Sequence, residues 1–179
     1  MRWLLLPVCL VFSACVSERA ARLGDLEVEH ISAPGPVPLA LDDAFQIRKV
    51  FTLLIDPVLQ QRALQTGGLG NAWLRAETER RYFGAVSAVE RRDREGHYYV
   101  VNWSVNRTAD VRVRMEYRQQ KLGLHVQAME RHYPKARGSV RTEFSVIGDD
   151  YHQDGPVTAW RVTLVENGRI VGVNQSFMW

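Results

Sequence analysis

Between positions 109 and 118 apolar and polar residues alternate without a break. Ala109, Val111, Val113, Met115 and Tyr117 interleave with Asp110, Arg112, Arg114, Glu116 and Arg118. A period of two puts all the apolar side chains on one face of an extended strand and all the polar ones on the other. The segment therefore requires an antiparallel sheet with one face packed and one face in water.

The surrounding sequence repeats this logic. Runs at 82–89 and 97–105 flank Asp93-Arg94-Glu95-Gly96, a hairpin connection with glycine where a left-handed residue is wanted. Further apolar runs follow at 124–133 and 139–147, separated by Pro134 and Gly138. The runs at 157–166 and 169–178 are joined by Asn167-Gly168, a strong short-range hairpin signal. Seven short strands in about a hundred residues predict a mainly β domain over 82–179. The expected form is an immunoglobulin-like or fibronectin-like antiparallel β-sandwich, with a partly closed β-barrel as the alternative. Trp103 and Trp160 are its candidate core anchors.

Upstream, the pattern at 42–65 fits helical and strand periods equally: Ala44, Ile47, Phe51 and Leu54 suit a helix, while Phe45, Ile47, Phe51, Leu53 and Ile55 suit alternation. Asp56 and Pro57 open a short predicted helix over 57–66, which Gly67-Gly68 ends. Positions 73–81 are charged and fit either a helix or the lead-in to a strand. Together 42–81 form a mixed segment ahead of the sandwich. From 15 to 41 the chain is rich in small, charged and proline residues, including Pro34-Gly35-Pro36-Val37-Pro38, and reads as a semi-rigid linker of polyproline character.

At the start, Arg2 precedes an apolar run from Trp3 to Phe12, followed by Ser13, Ala14 and Cys15. This is the layout of a secretory signal over 1–14, too short and too interrupted by Pro7 to span a membrane. Phe12-Ser13-Ala14-Cys15 resembles the lipobox of bacterial lipoproteins, with phenylalanine where leucine is commonest. The resemblance implies cleavage before Cys15 and lipid attachment to it, so that the protein is tethered to the envelope membrane. Val16 stands where such proteins carry an aspartate for inner-membrane retention, which implies the outer membrane. Stable anchoring takes about two lipid signals, as multiple acylation of one cysteine supplies.

The chain has two cysteines, Cys9 within the signal and Cys15. The remaining domain is left without a disulfide, a thiol nucleophile or a cysteine metal ligand. Arg2 leaves with the signal, so 22 basic side chains face 20 acidic ones, a balance that argues against nucleic acid as a partner. No cofactor is implied. The acidic stretch from Asp149 to Gly155 suggests calcium, with Asp150 and Asp154 as candidate ligands, but lacks the alternate acidic spacing and closing glutamate of a dedicated loop. No phosphate loop, serine-nucleophile motif or helix-spaced histidine pair is present.

Arg112, Arg114 and Arg118 on the outward face of their strand, together with Trp179, are the candidate partner-binding residues. The apolar cluster Phe177-Met178-Trp179 is expected to close the last strand into the sandwich, with recruitment of a partner strand as the alternative. The function expected is non-catalytic: a lipid-anchored module that binds or scaffolds an envelope protein. A carrier of a small apolar or lipidic ligand is the first alternative, requiring a cavity between sheet and N-terminal helix. A hydrolase using Asp149, Asp150 or His152 is the second.

Overall fold

A computed structural model describes residues 27–32, 34–58, 61 and 70–179. Six antiparallel strands form one sheet: β1 (Glu29–Ile31), β2 (Phe45–Ile55), β3 (Gly96–Gln119), β4 (Gln127–Ile147), β5 (Val157–Glu166) and β6 (Arg169–Gln175). Among the described residues, helices α1 (Gly70–Tyr82), α2 (Ala88–Arg92) and α3 (Asp149–Asp154) accompany them, with a single 3-10 turn at Gln120–Leu122. The protein is thus mainly β, its sheet is not closed into a barrel, and its class is sandwich-like.

The layering comes from two unusually long strands. β3 runs beside β4 along nearly its whole length, but its other edge changes partner: residues 96–105 pair with β2 and residues 112–119 with β5. The ring of Tyr99 lies 6.0 Å from that of Trp160, which is opposite Tyr117 in the β3–β5 register. Eighteen residues of straight strand would separate Tyr99 from Tyr117 by about 60 Å. β3 must therefore double back, and its two halves face each other across one core.

The bend lies at Asn106, Arg107 and Thr108, all exposed, where the register against β4 shifts between Val105 and Val111. Such bulges add residues to one strand and increase its local bend. On β4 the counterpart is Lys135, at φ 53°, whose N–H is accepted by Asp110 Oδ1 at 2.7 Å. Arg107 secures the corner, donating to both oxygens of Glu166 at 2.5 and 2.6 Å and lying 4.8 Å over the ring of Phe45.

Through the bend the inward parity of β3 is kept. Tyr99, Val101, Trp103 and Val105, then Val111, Val113, Met115 and Tyr117, are all buried in one cluster. Trp103 is the expected anchor: fully buried, it donates from Nε1 to Thr142 Oγ1 at 2.9 Å, and that hydroxyl donates to Tyr133 at 2.8 Å. Trp160 is half-buried against the same cluster.

Several expectations change. The strand expected at 82–89 is the end of α1 followed by a capped helix, α2: Ser87 accepts the Glu90 N–H, and the Glu90 side chain accepts that of Ser87. The pairs of strands expected at 97–105 and 109–118, and at 124–133 and 139–147, are single strands, because pairing continues through residues read as breaks. Six strands replace seven. The undecided segment at 42–65 supplies β2, and 73–81 lies within α1. The helix expected at 57–66 falls largely outside the described residues, as do the signal and Cys15.

The stretch read as linker is partly built into the sheet. β1 pairs with β4 at one edge, and Pro38 and Ala40 exchange 2.9 Å hydrogen bonds with Ile170 of β6 at the other. Between them Gly35 O accepts from Arg114 Nη1 at 3.4 Å, so residues 34–38 strap the polar face. The Asn167-Gly168 hairpin is as expected, both residues having positive φ.

Gly96 opens β3 at φ 136°, where an added Cβ would lie 2.3 Å from the carbonyl oxygen of Val146. Neither backbone can yield without breaking the β3–β4 register. Gly96→Ala is expected to lower stability by about 2–3 kcal/mol, read as a shifted denaturant midpoint.

Candidate functional site

The polar face of the bent sheet carries an extended charge lattice. Glu116 and Glu130 are only 6% exposed, although they stand on the face expected to be solvated. Arg114 forms a short ion pair with Glu130 and lies 3.8 Å from Glu116, while Arg161 of β5 clasps Glu116 on its other side. Buried carboxylates are tolerated where such partners replace water. Of the three outward arginines, only Arg112 is open. It lines a polar hollow of about 560 Å³ with Glu29, Glu130 and His132.

At the β5 end of this lattice, Trp179 sits 4.7 Å from the Arg118 guanidinium and 4.9 Å from that of Arg161. The structure thus joins the candidates Arg118 and Trp179 directly, and links Arg114 to them through Glu116 and Arg161. The expected closure of 169–178 as a strand stops at Gln175. Ser176 turns the chain, its N–H donating to Trp160 O at 2.9 Å, and leaves Phe177 fully exposed and Met178 69% exposed. Among the described residues, the backbone hydrogen bonds on the outer edge of β6 end at Val171; beyond it Gly172 and Val173 face Phe45, Gln46, Ile47 and Arg48 of β2 across a shallow groove, and only the end of the strand at 174–175 runs past it. This strand end and its apolar tip form the first candidate site.

The second is a cleft of about 420 Å³ between α1 and the outer face of β2, β3 and β4. Phe51, Leu53, Tyr98 and Val100 form an apolar floor. Over it runs a chain of alternating charges: Arg80, Glu77, Arg81, Glu143 and Arg141. Arg81 is held at the centre, 3.1 Å from both Glu77 and Glu143 and 4.5 Å above the Tyr98 ring. The two outer guanidiniums, Arg80 and Arg141, are 58% and 52% exposed. No sequence motif marks this cleft, because its parts come from four separate elements.

The acidic connection is a clasp in its built form. Asp149 and Asp150 are exposed, and Asp149 approaches Arg92 at 3.4 Å. His152 Nε2 lies 3.3 Å from Glu95, and Tyr151 donates to Asp56 at 2.9 Å. Gln119, the last residue of β3, donates to the carbonyls of Asp150 and Gly155 at 2.8 and 2.9 Å, while Lys121 takes those of His152 and Gln153. These bonds satisfy the open carbonyls of a short helix. Among the described residues, Asp150 and Asp154 join no group of three or more acidic or histidine ligands fit for a metal.

Beside this clasp His97 stacks on Tyr99 and meets the ring of Tyr151, with its Nε2 buried and lacking a partner among the described residues. Burial pushes its pKa down to about 4. Burial also raises the Glu95 carboxyl above its usual range, against the pull of His152.

No protein-family model matches the chain, and no curated protein or solved structure is significantly similar to it. What the fold and sites define is a class: an open antiparallel sheet with a strapped, charge-laced face.

Two outcomes follow. Glu116→Ala leaves Arg161 without its carboxylate on a largely buried face, and is expected to cost about 3 kcal/mol in chemical denaturation. His97 is neutral when folded, and the unfolded chain takes up its proton first. Stability is therefore expected to fall by about 3 kcal/mol as pH drops from about 6.5 to about 4, a loss that His97→Gln removes from the pH profile.

Proposed function

We propose that this protein is a lipid-anchored envelope module that binds an extended segment of another envelope protein and has no catalytic step of its own. The observation that carries the binding role is the end of β6, beyond the groove it shares with β2, leading to a fully exposed Phe177 and a largely exposed Met178. An unpaired strand edge supplies main-chain hydrogen bonds to a partner strand, and neighbouring apolar side chains give it specificity. Arg118 and Arg161 beside Trp179 favour acidic side chains in that strand. The anchor rests on the sequence Phe12-Ser13-Ala14-Cys15, and Val16 supports the outer membrane.

Cys15→Ser protein is expected to leave the membrane fraction, and full retention there would overturn the anchor. A photoreactive group at Val173, 40% exposed, is expected to yield a discrete crosslinked partner in intact envelopes. Phe177→Asp should reduce that adduct at least tenfold while shifting stability by no more than about 0.5 kcal/mol. An adduct insensitive to Phe177, or none, would overturn the β6 edge as the binding site.

A further inference from the structure

We propose that the cleft under α1 is a binding site for an anionic amphiphile, its single carboxylate or phosphate taken by an exposed guanidinium at the rim, Arg80 or Arg141, and its hydrocarbon tail laid on Phe51, Leu53 and Val100. This site lies on the β2-paired half of β3, whereas the binding edge proposed above belongs to the β5 half, so either can fail alone.

The charge chain over the cleft is the first reason. It has three guanidiniums and two carboxylates, so it carries one net positive charge and ends on arginine at both sides. Arg81 has a carboxylate on each side and its flat face lies on Tyr98, so its charge is already matched. Arg80 and Arg141 each have one carboxylate partner among the described residues and keep further N–H donors. A guanidinium is built to share such donors with carboxylate or phosphate oxygens.

The floor is the second reason. Phe51 stands 42% exposed on the outer face of β2, with the Lys49 ammonium 4.2 Å over its ring, next to Val100, its partner in the β2–β3 register. At the inner end the floor runs into a small separate core of Leu53, Ile55 and Tyr98, backed by Tyr82 and Ile147. A hollow with an apolar base, a few convergent polar groups and several hundred cubic ångströms of space is the usual form of a small-ligand site. Neither an inorganic anion nor a neutral hydrocarbon uses both parts of it.

The test is calorimetric titration of the full chain with dodecyl phosphate below its micelle concentration, set against dodecyl maltoside and inorganic phosphate. Saturable one-to-one binding of dodecyl phosphate, at least tenfold tighter than either control, is expected. The double variant Arg80→Ser, Arg141→Ser alters two half-exposed side chains and should weaken dodecyl phosphate at least tenfold without changing dodecyl maltoside. Phe51→Ser should weaken both detergents. Circular dichroism melting of each variant confirms that it is folded, and Phe51→Ser serves alone if the double variant is not. Flotation with phosphatidylglycerol and phosphatidylcholine vesicles separates the two sources of such a ligand. Preference for phosphatidylglycerol that is lost in the double variant assigns a membrane lipid, while titration without flotation assigns a free amphiphile. Equal affinity for dodecyl phosphate and dodecyl maltoside, absence of saturation, or indifference to the arginine substitutions would overturn the proposal.

Discussion

The contact between Tyr99 and Trp160 exists only because β3 doubles back on itself, and most of the remaining structure depends on that reversal. One half of the strand gives β2 a partner and the other gives β5 one, while β4 follows both round the corner. The corner itself is stabilised from outside: Arg107 ties it to Glu166 and Asp42, and Asp110 receives the N–H of Lys135 on the neighbouring strand. At the opposite end both termini of β3 meet α3, Gly96 where an added Cβ would lie 3.1 Å from Tyr151 and Gln119 through the carbonyls of Asp150 and Gly155. The core is thus enclosed by a single folded ribbon with its ends clasped.

That construction explains why the two candidate sites have different chemistry. On the β5 half, paired charges are drawn together under the strap, and what stays exposed is the end of β6 with its apolar tip. On the β2 half no strap crosses among the described residues, and α1 spans the outer face with charged side chains over aromatic ones. A salt-laced surface and an amphipathic hollow follow from one strand that presents its even-numbered residues outward on both sides of its bend.

The alternation from Ala109 to Arg118 was legible in full, since a buried face imposes a period of two whatever the strand pairs with. Its direction in space was not. Asn106-Arg107-Thr108 and Pro134 look like strand ends because polar and proline residues favour turns, and a bulge uses the same residues to bend a ladder that continues. The capping box of Ser87 and Glu90 was readable, but the apolar run at 82–89 masked it. Arg118 and Trp179 were identifiable as individual residues, whereas Arg161 between them depends on the β3–β5 register. The cleft was beyond reach, since Phe51, Arg81 and Arg141 meet only through tertiary pairing.

The strap also changes how the domain would stand at a membrane. A spacer from 15 to 41 would let it roam, yet from Glu29 onward the chain is bound into the sheet. An anchor at Cys15 then leaves only 14 residues of leash, roughly 50 Å even when fully drawn out. The leash leaves from β1, at the β4 border of the sheet, and so would fix which border looks down at the lipid. The β6 border, at the far end of the strand order, would look away. On such a short lead the protein would be less a float on a line than a bracket, with one side towards its support and the other held out to whatever comes alongside.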